Sequence, residues 1–483
     1  MTTRRRPTVL DSIPRLWCRR LAGVSSLWHR RLAGVSSLWH RRLAGVSSRA
    51  RRPCHNRRPW DRSLLTVVLS ATCLTVVLTT QTEAQWPQWG GPDGNFMIET
   101  RGLANTWPED GPPKLWSREF GEGCSSIIVE DSVLYTMYRK EPTAEKEYTV
   151  ALDAKTGKTL WEHGNPSPIT AQMNQFGSGP HSTPLVVGNR LYSIGANLAL
   201  HCFDKKTGKV IWKHDLLEEY DITVGVYGYS ASPLAYKDMI ILPIVGKKPN
   251  TLTLAAFDQA TGRAVWKNQS VKRDQSEHGD YSTPVIITLD GEDQIVFFTN
   301  EQLVAFQPSD GKVIWRHPFP NQVGVNVSTP VWNGKDLLFC SAGYGAGARA
   351  IRLTRENGKT TPEELWHSKK MRMHHCNAIL IGDHVYGSSG DFGPAFFMAM
   401  NLESGKPAWR KRGFSKANCV YGDGKFIILD EDGQLALATA SPEGLTIHSK
   451  CTITERISWT SPTLVGKTLY IRDRNHIMAL DLG

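Results

Sequence analysis

The 483-residue sequence predicts an all-β fold, namely an eight-bladed β-propeller made of four-stranded antiparallel blades. Three observations predict it. A hairpin phrase that ends in tryptophan recurs along the chain, a Ser-Thr-Pro-like phrase opens each repeat, and the two ends of the chain carry complementary halves of one repeat. Repeats of about 50 residues that contain four short strands are typical of propeller blades.

The first 84 residues are predicted to be a basic leader that exports the chain. An uncharged apolar stretch at 64–80 follows arginines 57, 58 and 62 and precedes the small-residue exit at 82–84. This order is typical of a secretory signal, with cleavage expected after Ala84. The stretch is 17 residues long and can just span a bilayer, so an uncleaved anchor is the alternative. We expect a periplasmic or cell-envelope protein that contacts the membrane only through this leader.

The formal net charge of +11 belongs to the leader and not to the predicted propeller. The leader carries 16 Arg against three acidic residues, which leaves 41 basic and 43 acidic residues in 85–483. A nearly neutral body offers no basic footprint for phosphate groups. We therefore exclude nucleic acid as a partner.

The hairpin phrase has the form Asp-x-x-Thr-Gly-x-x-x-Trp and is clearest at 151–161, 202–212 and 256–266. Alternating apolar residues form a strand, Asp opens the turn, Gly takes the positive φ that closes it, and the next strand carries the Trp. The eighth copy, at 437–445, keeps its Gly but has lost its Trp. We predict that the remaining tryptophans are structural wedges between blades: Trp116, Trp161, Trp212, Trp266, Trp315, Trp366 and Trp409.

The opening phrase places a proline at the start of the innermost strand, where its missing N–H breaks no interior ladder bond. Pro184, Pro233, Pro284 and Pro330 follow one another at spacings of 49, 51 and 46 residues. The eight innermost strands are expected near Ser126, Thr183, Ser232, Thr283, Thr329, Asn377, Asn418 and Ser461.

The chain ends are predicted to complete one blade together. Residues 477–483 hold the first half of the hairpin phrase, and residues 113–118 hold the missing half with its Trp. Pairing them removes an open sheet edge. We therefore assign 85–113 to an N-terminal extension and 114–483 to the propeller.

Six cysteines are spread singly over the predicted blades, at 124, 202, 340, 376, 419 and 451. None forms a CxxC pair, so a zinc site is unsupported. We expect buried, apolar thiols, with one or two disulfides as the alternative in an oxidising compartment.

The hairpin phrase resembles the repeat of pyrroloquinoline-quinone (PQQ) dehydrogenases and of the outer-membrane assembly lipoprotein BamB. The opening Trp-Pro-Gln-Trp-Gly-Gly-Pro at 86–92 looks like the start of exported PQQ-like propellers of planctomycete-type bacteria. The resemblance covers about residues 86–483 and implies the propeller fold. The chain departs from the quinoprotein alcohol dehydrogenases, which carry adjacent cysteines against the cofactor. Their calcium-binding and catalytic acidic residues have no matching motif here.

Function is expected at the mouth of the central channel, where the innermost strands begin. A polar, partly aromatic ring there is typical of a small-molecule pocket, although such residues also line a wet channel without a ligand. Trp459 either stacks on a ligand or caps its blade. The predicted ring consists of Glu122, Cys124, His181, Tyr229, His278, Asp280, Tyr281, Asn326, His374, His375, Asn377, Lys416, Asn418, Arg456 and Trp459.

The histidines of this ring raise the question of a metal. Adjacent residues on a strand face opposite ways, so His374 and His375 are not expected to point inward together, and we predict no metal site. The glycine-rich run at 343–347 lacks the following helix that phosphate binding needs, and we interpret it as a propeller turn.

Two functions remain open from the sequence. The main hypothesis is a monomeric, non-catalytic binding or scaffold module that holds an envelope protein or a carbohydrate, without a cofactor and without assigned catalytic residues. The alternative is a PQQ-dependent dehydrogenase of alcohols or sugars, with PQQ and calcium at the channel mouth.

Overall fold

The computed structural model describes residues 85–169, 173, 177–222, 224–244, 253–270, 280–391 and 393–483. The predicted leader, with its apolar stretch at 64–80 and its cleavage site, lies outside the described residues. His278 of the predicted ring lies outside them as well.

The described strands form eight four-stranded antiparallel sheets, which confirms the predicted eight-bladed propeller. Each blade runs from an innermost to an outermost strand. Blades 1 to 4 contain β2 (Ile128–Glu130), β3 (Val133–Tyr138), β4 (Lys146–Asp153) and β5 (Thr159–Pro166); β6 (Leu185–Val187), β7 (Arg190–Ile194), β8 (Ala199–Asp204) and β9 (Val210–Asp215); β10 (Leu234–Tyr236), β11 (Met239–Pro243), β12 (Leu254–Asp258) and β13 (Ala264–Asn268); and β14 (Val285–Leu289), β15 (Glu292–Phe298), β16 (Gln302–Phe306) and β17 (Val313–Pro318).

The second half of the ring repeats this order, and the last blade takes its outermost strand from the N-terminal part of the chain. Blades 5 to 8 contain β18 (Val331–Trp332), β19 (Leu337–Ala342), β20 (Gly347–Glu356) and β21 (Lys359–Ser368); β22 (Ala378–Ile381), β23 (His384–Ser389), β24 (Phe396–Asn401) and β25 (Pro407–Lys411); β26 (Ala417–Gly422), β27 (Lys425–Asp430), β28 (Gln434–Ser441) and β29 (Gly444–Thr452); and β30 (Thr463–Val465), β31 (Thr468–Arg472), β32 (His476–Asp481) and β1 (Lys114–Glu119).

Blade 8 closes the ring as the sequence predicts. Strand β1 pairs with β32, and Trp116 stands opposite Ala479 just as Trp161 of blade 1 stands opposite Ala151. The edge that the C-terminal strand would leave open is therefore paired with the N-terminal part of the chain.

A short helix, α1 (Leu216–Glu219), follows β9, and the Asp215 carboxylate caps it by accepting the N–H of Glu218. No helix in the part of the chain that the structure describes is long and apolar enough to cross a membrane. The six body cysteines are free thiols; Cys124 is half-buried and the other five are buried.

The blade tryptophans lie between neighbouring blades. The indole Nε1 of Trp116 donates to the backbone oxygen of Ala154 (2.9 Å), and that of Trp161 donates to Lys205 (3.0 Å) in the next blade. A Cβ added to Gly208 would lie 2.5 Å from the Trp161 ring, and Gly208 has a φ of 70°. The turn glycine therefore serves two purposes, because it supplies the left-handed backbone and lets the indole approach closely.

Blade 4 departs from this pattern. Trp315 donates its Nε1–H to Gln294 Oε1 (2.8 Å) in its own blade, and Gln294 Nε2 donates to Thr360 Oγ1 (2.8 Å) in blade 5. The reason is the length of the next hairpin, since β20 and β21 each have ten residues and their turn lies farther out. In blade 4 a glutamine side chain thus links the indole to the next blade, whereas at Trp116 and Trp161 a backbone carbonyl of the next blade accepts the indole N–H directly.

The N-terminal extension supplies the indole that blade 7 lacks. Ser449 stands opposite Leu437, where Trp409 of blade 6 stands opposite Ala399. The backbone N–H of Trp107 donates to Ser449 Oγ (2.5 Å), and the Trp107 side chain is only 8% exposed. A buried tryptophan from outside the repeats therefore lies against blade 7 where the repeat tryptophan is missing.

The start of the extension crosses one end of the channel. The N–H of Trp86 donates to Val129 of blade 1 (2.8 Å), and the N–H of Ile98 donates to Tyr421 of blade 7 (2.9 Å). Between them, Trp89 Nε1 donates to Thr329 Oγ1 (3.0 Å) at blade 5. Because these partners stand on different sides of the ring, residues 86–98 close this end of the channel.

Candidate functional site

The channel mouth is held by a belt of hydrogen bonds between the openings of successive blades. The N–H of Ser126 donates to Thr183 Oγ1 (3.2 Å), the N–H of Thr183 donates to Ser232 Oγ (3.0 Å), and the N–H of Ser232 donates to Thr283 Oγ1 (3.0 Å). The Ser and Thr of the opening phrase therefore join blades, in addition to starting strands. This belt fixes the positions of the residues just before it.

A cavity of about 220 Å³ lies where the blade openings meet, which is smaller than most ligand pockets. Its lining is mainly aromatic, hydroxyl-bearing and imidazole side chains. The lining residues are Trp89, Cys124, Ser126, Gly177, His181, Tyr227, Ser230, Ser232, Tyr281, Thr283, Val325, Val327, Ser328, Thr329, Tyr344, His374, His375, Cys376, Asn377 and Trp459.

Five tryptophan and tyrosine side chains line the cavity. Trp89, which belongs to the segment that closes the channel, lies at the cavity. The rings of Tyr227 and Tyr281 are 6.1 Å apart between centroids, and those of His375 and Trp459 are 5.1 Å apart. Such faces suit a flat, conjugated ligand, because stacked and edge-on aromatic pairs are favourable beyond their buried area.

Part of the predicted ring lines this cavity. The structure brings together five members of the predicted binding set, and Cys124 and His374 line the cavity with them. Those five are His181, Tyr281, His375, Asn377 and Trp459. Asn377 also has a structural task, since its Oδ1 accepts the N–H of Cys419 (2.9 Å) across blades.

Three predicted residues sit beside the cavity in contacts of their own. Glu122 is 3% exposed and pairs with Arg474 (2.5 Å). Asp280 is buried and accepts the N–H of Asn300. Asn326 is buried and donates to the backbone oxygen of Thr299 (2.5 Å).

The other predicted residues also lie outside the lining. Tyr229 is buried in the interface of blades 2 and 3. Lys416 pairs with Glu431 (2.7 Å), and Asn418 donates to the backbone oxygen of Trp459 (3.0 Å). Arg456 is exposed.

His374 and His375 both face the cavity, which corrects the expectation that only one of them would point inward. That expectation assumed a strand, but both residues lie in a bend before β22, where the alternation of strand side chains does not apply. Their Nδ1 atoms are 2.8 Å apart, in hydrogen-bond contact.

The two histidines belong to a longer chain of polar contacts. Tyr344 OH lies 2.5 Å from His374 Nε2, and Glu431 Oε2 lies 3.8 Å from His375 Nε2. Glu431 also accepts the Nε1–H of Trp459 (3.0 Å). Tyr344 and Glu431 are site residues that the sequence does not predict. A non-glycine residue inside the glycine-rich run was the one available signal for Tyr344, and nothing in the sequence connects Glu431 to the histidines.

Burial keeps the cavity histidines neutral. It lowers the pKa of His181 to about 4, and it holds the pKa of His374 and of His375 well below the usual range, with Lys416 adding to the effect. Burial also raises the pKa of the Cys124 thiol to about 11. The imidazoles at the cavity are therefore uncharged at pH 7, and this thiol is protonated.

Three buried polar atoms at the cavity have no hydrogen-bond partner within the described part of the chain. They are His181 Nε2, His375 Nε2 and Ser126 Oγ. Buried polar groups are nearly always paired in native proteins, so these atoms are available to water or to a bound molecule.

The described residues contain no group of three or more His, Cys, Asp or Glu side chains placed to hold a metal ion. We accordingly assign no metal ligands.

Comparison with known families gives one match that covers more than half of the chain. The family model described as outer membrane protein assembly factor BamB matches residues 145–411. The match runs from β4 of blade 1 to β25 of blade 6.

Curated relatives match a shorter stretch. The chain is 27% identical over 202 residues to a 1-butanol dehydrogenase (quinone) of Thauera butanivorans, which covers 39% of this chain and 29% of that protein. It is 28% identical over 191 residues to a quinoprotein ethanol dehydrogenase of Pseudomonas aeruginosa, which covers 35% of this chain and 28% of that protein. The match thus spans less than a third of the length of either relative.

A solved structure with the same fold is the quinohemoprotein alcohol dehydrogenase from Comamonas testosteroni. Its TM-score is 0.56, at 14% identity, and the match covers 83% of this chain and 81% of that one. At this identity the likeness shows the fold alone.

Proposed function

The chain belongs to the PQQ-repeat propeller family described as outer membrane protein assembly factor BamB, and we propose that its channel cavity binds a planar quinone of the PQQ class and oxidises an alcohol or a sugar. One observation carries the proposal: the cavity combines aromatic walls with unpartnered imidazole and hydroxyl atoms. The names of the curated relatives, which are quinone-dependent alcohol dehydrogenases, support the same chemistry.

The cavity residues fit a quinone of this class. PQQ is flat and conjugated and carries oxygen atoms around its edge. Trp89, Tyr281 and Trp459 offer faces and edges for stacking, while His181 Nε2 and Ser126 Oγ offer unpaired groups to edge oxygens. Calcium, the second part of the alternative hypothesis, has no assigned ligand set among the described residues, so no step is derived through it.

In this proposal the chain holds and orients the quinone and the substrate and shields them from water. A bound ortho-quinone of the PQQ class supplies a two-electron oxidant for the C–H bond of the substrate. Trp89 shields one end of the site from water because the extension closes the channel there. The neutral histidines at the cavity can take up the proton that a substrate hydroxyl releases.

A binding module without catalysis is the second candidate, and one observation favours it. Leu115, Leu160, Ile211 and Val265 are 44–53% exposed on the outermost strands of four consecutive blades. Each is the extra residue of a β-bulge just before the blade tryptophan. A row of exposed apolar side chains suits an envelope protein partner.

The exported location and the monomeric state belong to the same proposal and rest on the leader and on the ring closed within one chain. Sequencing the N-terminus of the protein recovered from the envelope fraction tests the location. We expect a new N-terminus after Ala84 or, for an anchor, a membrane-bound full chain. Recovery in the cytosol would contradict the proposal.

Dye-linked oxidation tests the proposed reaction. The purified full chain is incubated with PQQ, with and without Ca²⁺, and is supplied with short alcohols and with sugars. We expect substrate-dependent reduction of the dye that falls at least tenfold in His181→Ala and persists in His317→Ala, whose ring lies on the outer strand of blade 4. No oxidation under any of these conditions, together with an envelope partner that is lost in Leu160→Glu, would favour the second candidate.

A further inference from the structure

A line of polar side chains leads from the cavity through three blades to a nearly buried carboxylate. We propose that Tyr344, His374, His375 and Glu431 form a relay that carries a proton out of the cavity. This inference rests on the proposed function, because dehydrogenation of a hydroxyl compound releases the proton that the relay would carry.

The distances are those of a connected path. Tyr344 OH is 2.5 Å from His374 Nε2, and the Nδ1 atoms of His374 and His375 are 2.8 Å apart. His375 Nε2 is 3.8 Å from Glu431 Oε2, which is longer than a hydrogen bond but within ion-pair range. Tyr344, His374 and His375 line the cavity.

The fold holds the path in place. Tyr344 has a φ of 54° in the glycine-rich turn, and its N–H donates to Asp391 Oδ2 (3.0 Å). At the other end, Glu431 accepts Lys416 Nζ (2.7 Å) and the Nε1–H of Trp459 (3.0 Å). The Lys416 and Glu431 side chains are 11% and 13% exposed, so the path ends close to solvent.

The contacts select one arrangement of protons. Two Nδ1 atoms at 2.8 Å need one N–H between them, so one ring donates and the other accepts. Glu431 is paired with Lys416 and faces His375 Nε2, which favours an N–H there over a lone pair. His375 therefore accepts at Nδ1, His374 donates from Nδ1, and Tyr344 donates to His374 Nε2. Each of the three donors, Tyr344 OH, His374 Nδ1–H and His375 Nε2–H, then points its proton towards the next group on the way to Glu431.

The surrounding charges are compatible with this arrangement of protons before the reaction, and they favour proton transfer towards Glu431 during it. Both residues are half-buried, and desolvation lowers the pKa of each ring so that both are neutral at pH 7 and share a proton instead of repelling each other. The charged groups that face the path are Glu431 and Lys416 at its end and Asp391, paired with Arg372 (3.3 Å), at its start. A transient charge on His375 is attracted by Glu431, which shortens the 3.8 Å gap.

Every proton and electron pair that leaves the substrate has an acceptor in the proposed transfer. The substrate O–H bond breaks and its proton goes to the Tyr344 oxygen as the Tyr344 proton passes to His374 Nε2. The Nδ1 proton of His374 passes to His375 Nδ1, and the Nε2 proton of His375 passes to the Glu431 carboxylate. The C–H hydrogen leaves with its electron pair as hydride to the quinone oxidant. The Glu431 carboxyl then releases its proton to water.

Nitrogen NMR of the full chain labelled with ¹⁵N-histidine tests the relay without any cofactor. We expect His374 to be the Nδ1–H tautomer and His375 the Nε2–H tautomer at pH 7. Tyr344→Phe should shift the His374 Nε2 signal and Glu431→Gln the His375 Nε2 signal, while Tyr236→Phe, whose hydroxyl contacts Asp293 in blade 4, should move neither. The opposite tautomers, or an unmoved His374 signal in Tyr344→Phe, would overturn the relay.

A kinetic measurement ties the relay to the reaction. In the PQQ-loaded protein, Tyr344→Phe and Glu431→Gln should each lower kcat by about 100-fold, because a positioned proton acceptor contributes about 10²–10⁴-fold. The unfolding midpoint should change little, and kcat is measured at saturating PQQ. If the tautomers are as expected but both variants keep the full kcat, the relay is wrong. If the tautomers are as expected but the wild type oxidises no substrate, the proposed function is wrong instead.

Discussion

The glycine of the hairpin turn meets two requirements at one position, namely a positive φ and space for the indole of the preceding blade. Gly262 has a φ of 74°, and a Cβ there would lie 2.7 Å from the Trp212 ring of the preceding blade. The phrase in the sequence predicts both the turn and the tryptophan, but only the structure shows that they touch across blades. A local pattern cannot reveal this, because the partner lies about one repeat away in the chain.

Gly262→Ala should destabilise the fold by about 2–4 kcal/mol, because it adds a steric clash to the cost of a left-handed backbone. Gly188→Ala is the matched control, since Gly188 has a φ of 59° with open space around its Cβ. The control should cost about 1 kcal/mol. Urea unfolding of both variants measures the difference, and equal costs would show that the indole does not need the glycine.

His181 should make stability depend on pH in a defined window. Burial lowers its pKa in the folded state to about 4, against about 6.5 in the unfolded chain. Above pH 6.5 both states are neutral. As the pH falls from 6.5 towards 4, the unfolded state binds the proton first, so about 3 kcal/mol of stability is lost at most.

Denaturant unfolding at pH 7.5 and pH 4.5 checks this prediction. The loss of stability on acidification should be smaller in His181→Gln than in the wild type, whereas His317→Gln should behave like the wild type. His374 and His375 act in the same direction, so part of the loss should persist in the variant. An identical loss in His181→Gln and the wild type would contradict the burial of this imidazole.

At the scale of elements, the repeats predict the blades and the ring closure well, because each blade repeats one local pattern. Residues outside the repeats escaped prediction. The extension was assigned only as 85–113, yet it closes one end of the channel with Trp89 and supplies Trp107 to blade 7. The bend at His374 and His375 escaped for a similar reason, since strand alternation was applied to residues that lie before the strand.

Trp107→Ala should therefore cost about 3 kcal/mol, close to the cost of removing a blade tryptophan such as Trp212. Both tryptophans pack in apolar clusters of the blades, although they come from different parts of the chain. Ile211→Ala, on the same strand as Trp212 and 44% exposed, should change stability by less than about 0.5 kcal/mol. Thermal unfolding of the Trp107→Ala, Trp212→Ala and Ile211→Ala variants compares the three costs. An unchanged midpoint in Trp107→Ala would show that Trp107 does not stabilise blade 7.

At the scale of the whole molecule, seven of the eight blade openings contribute to one cavity whose chemistry no single repeat contains. The sequence predicts the ring of residues at the channel mouth, because each position follows from the repeat register. It does not predict which of them face the cavity and which are engaged by neighbours, as Glu122 is by Arg474. The curated relatives are named as quinone-dependent dehydrogenases, and on that ground we propose an oxidoreductase where the sequence alone favours a scaffold.

The dissociation constant of PQQ, measured by calorimetry on the full chain, tests the central claim most directly. We expect saturable binding of one PQQ per chain that weakens at least tenfold in Trp459→Leu, which removes an aromatic face from the cavity. Trp332→Leu, in the innermost strand of blade 5 and outside the cavity lining, should bind like the wild type. No binding by the wild type, or equal binding by Trp459→Leu, would contradict a quinone site in the channel cavity.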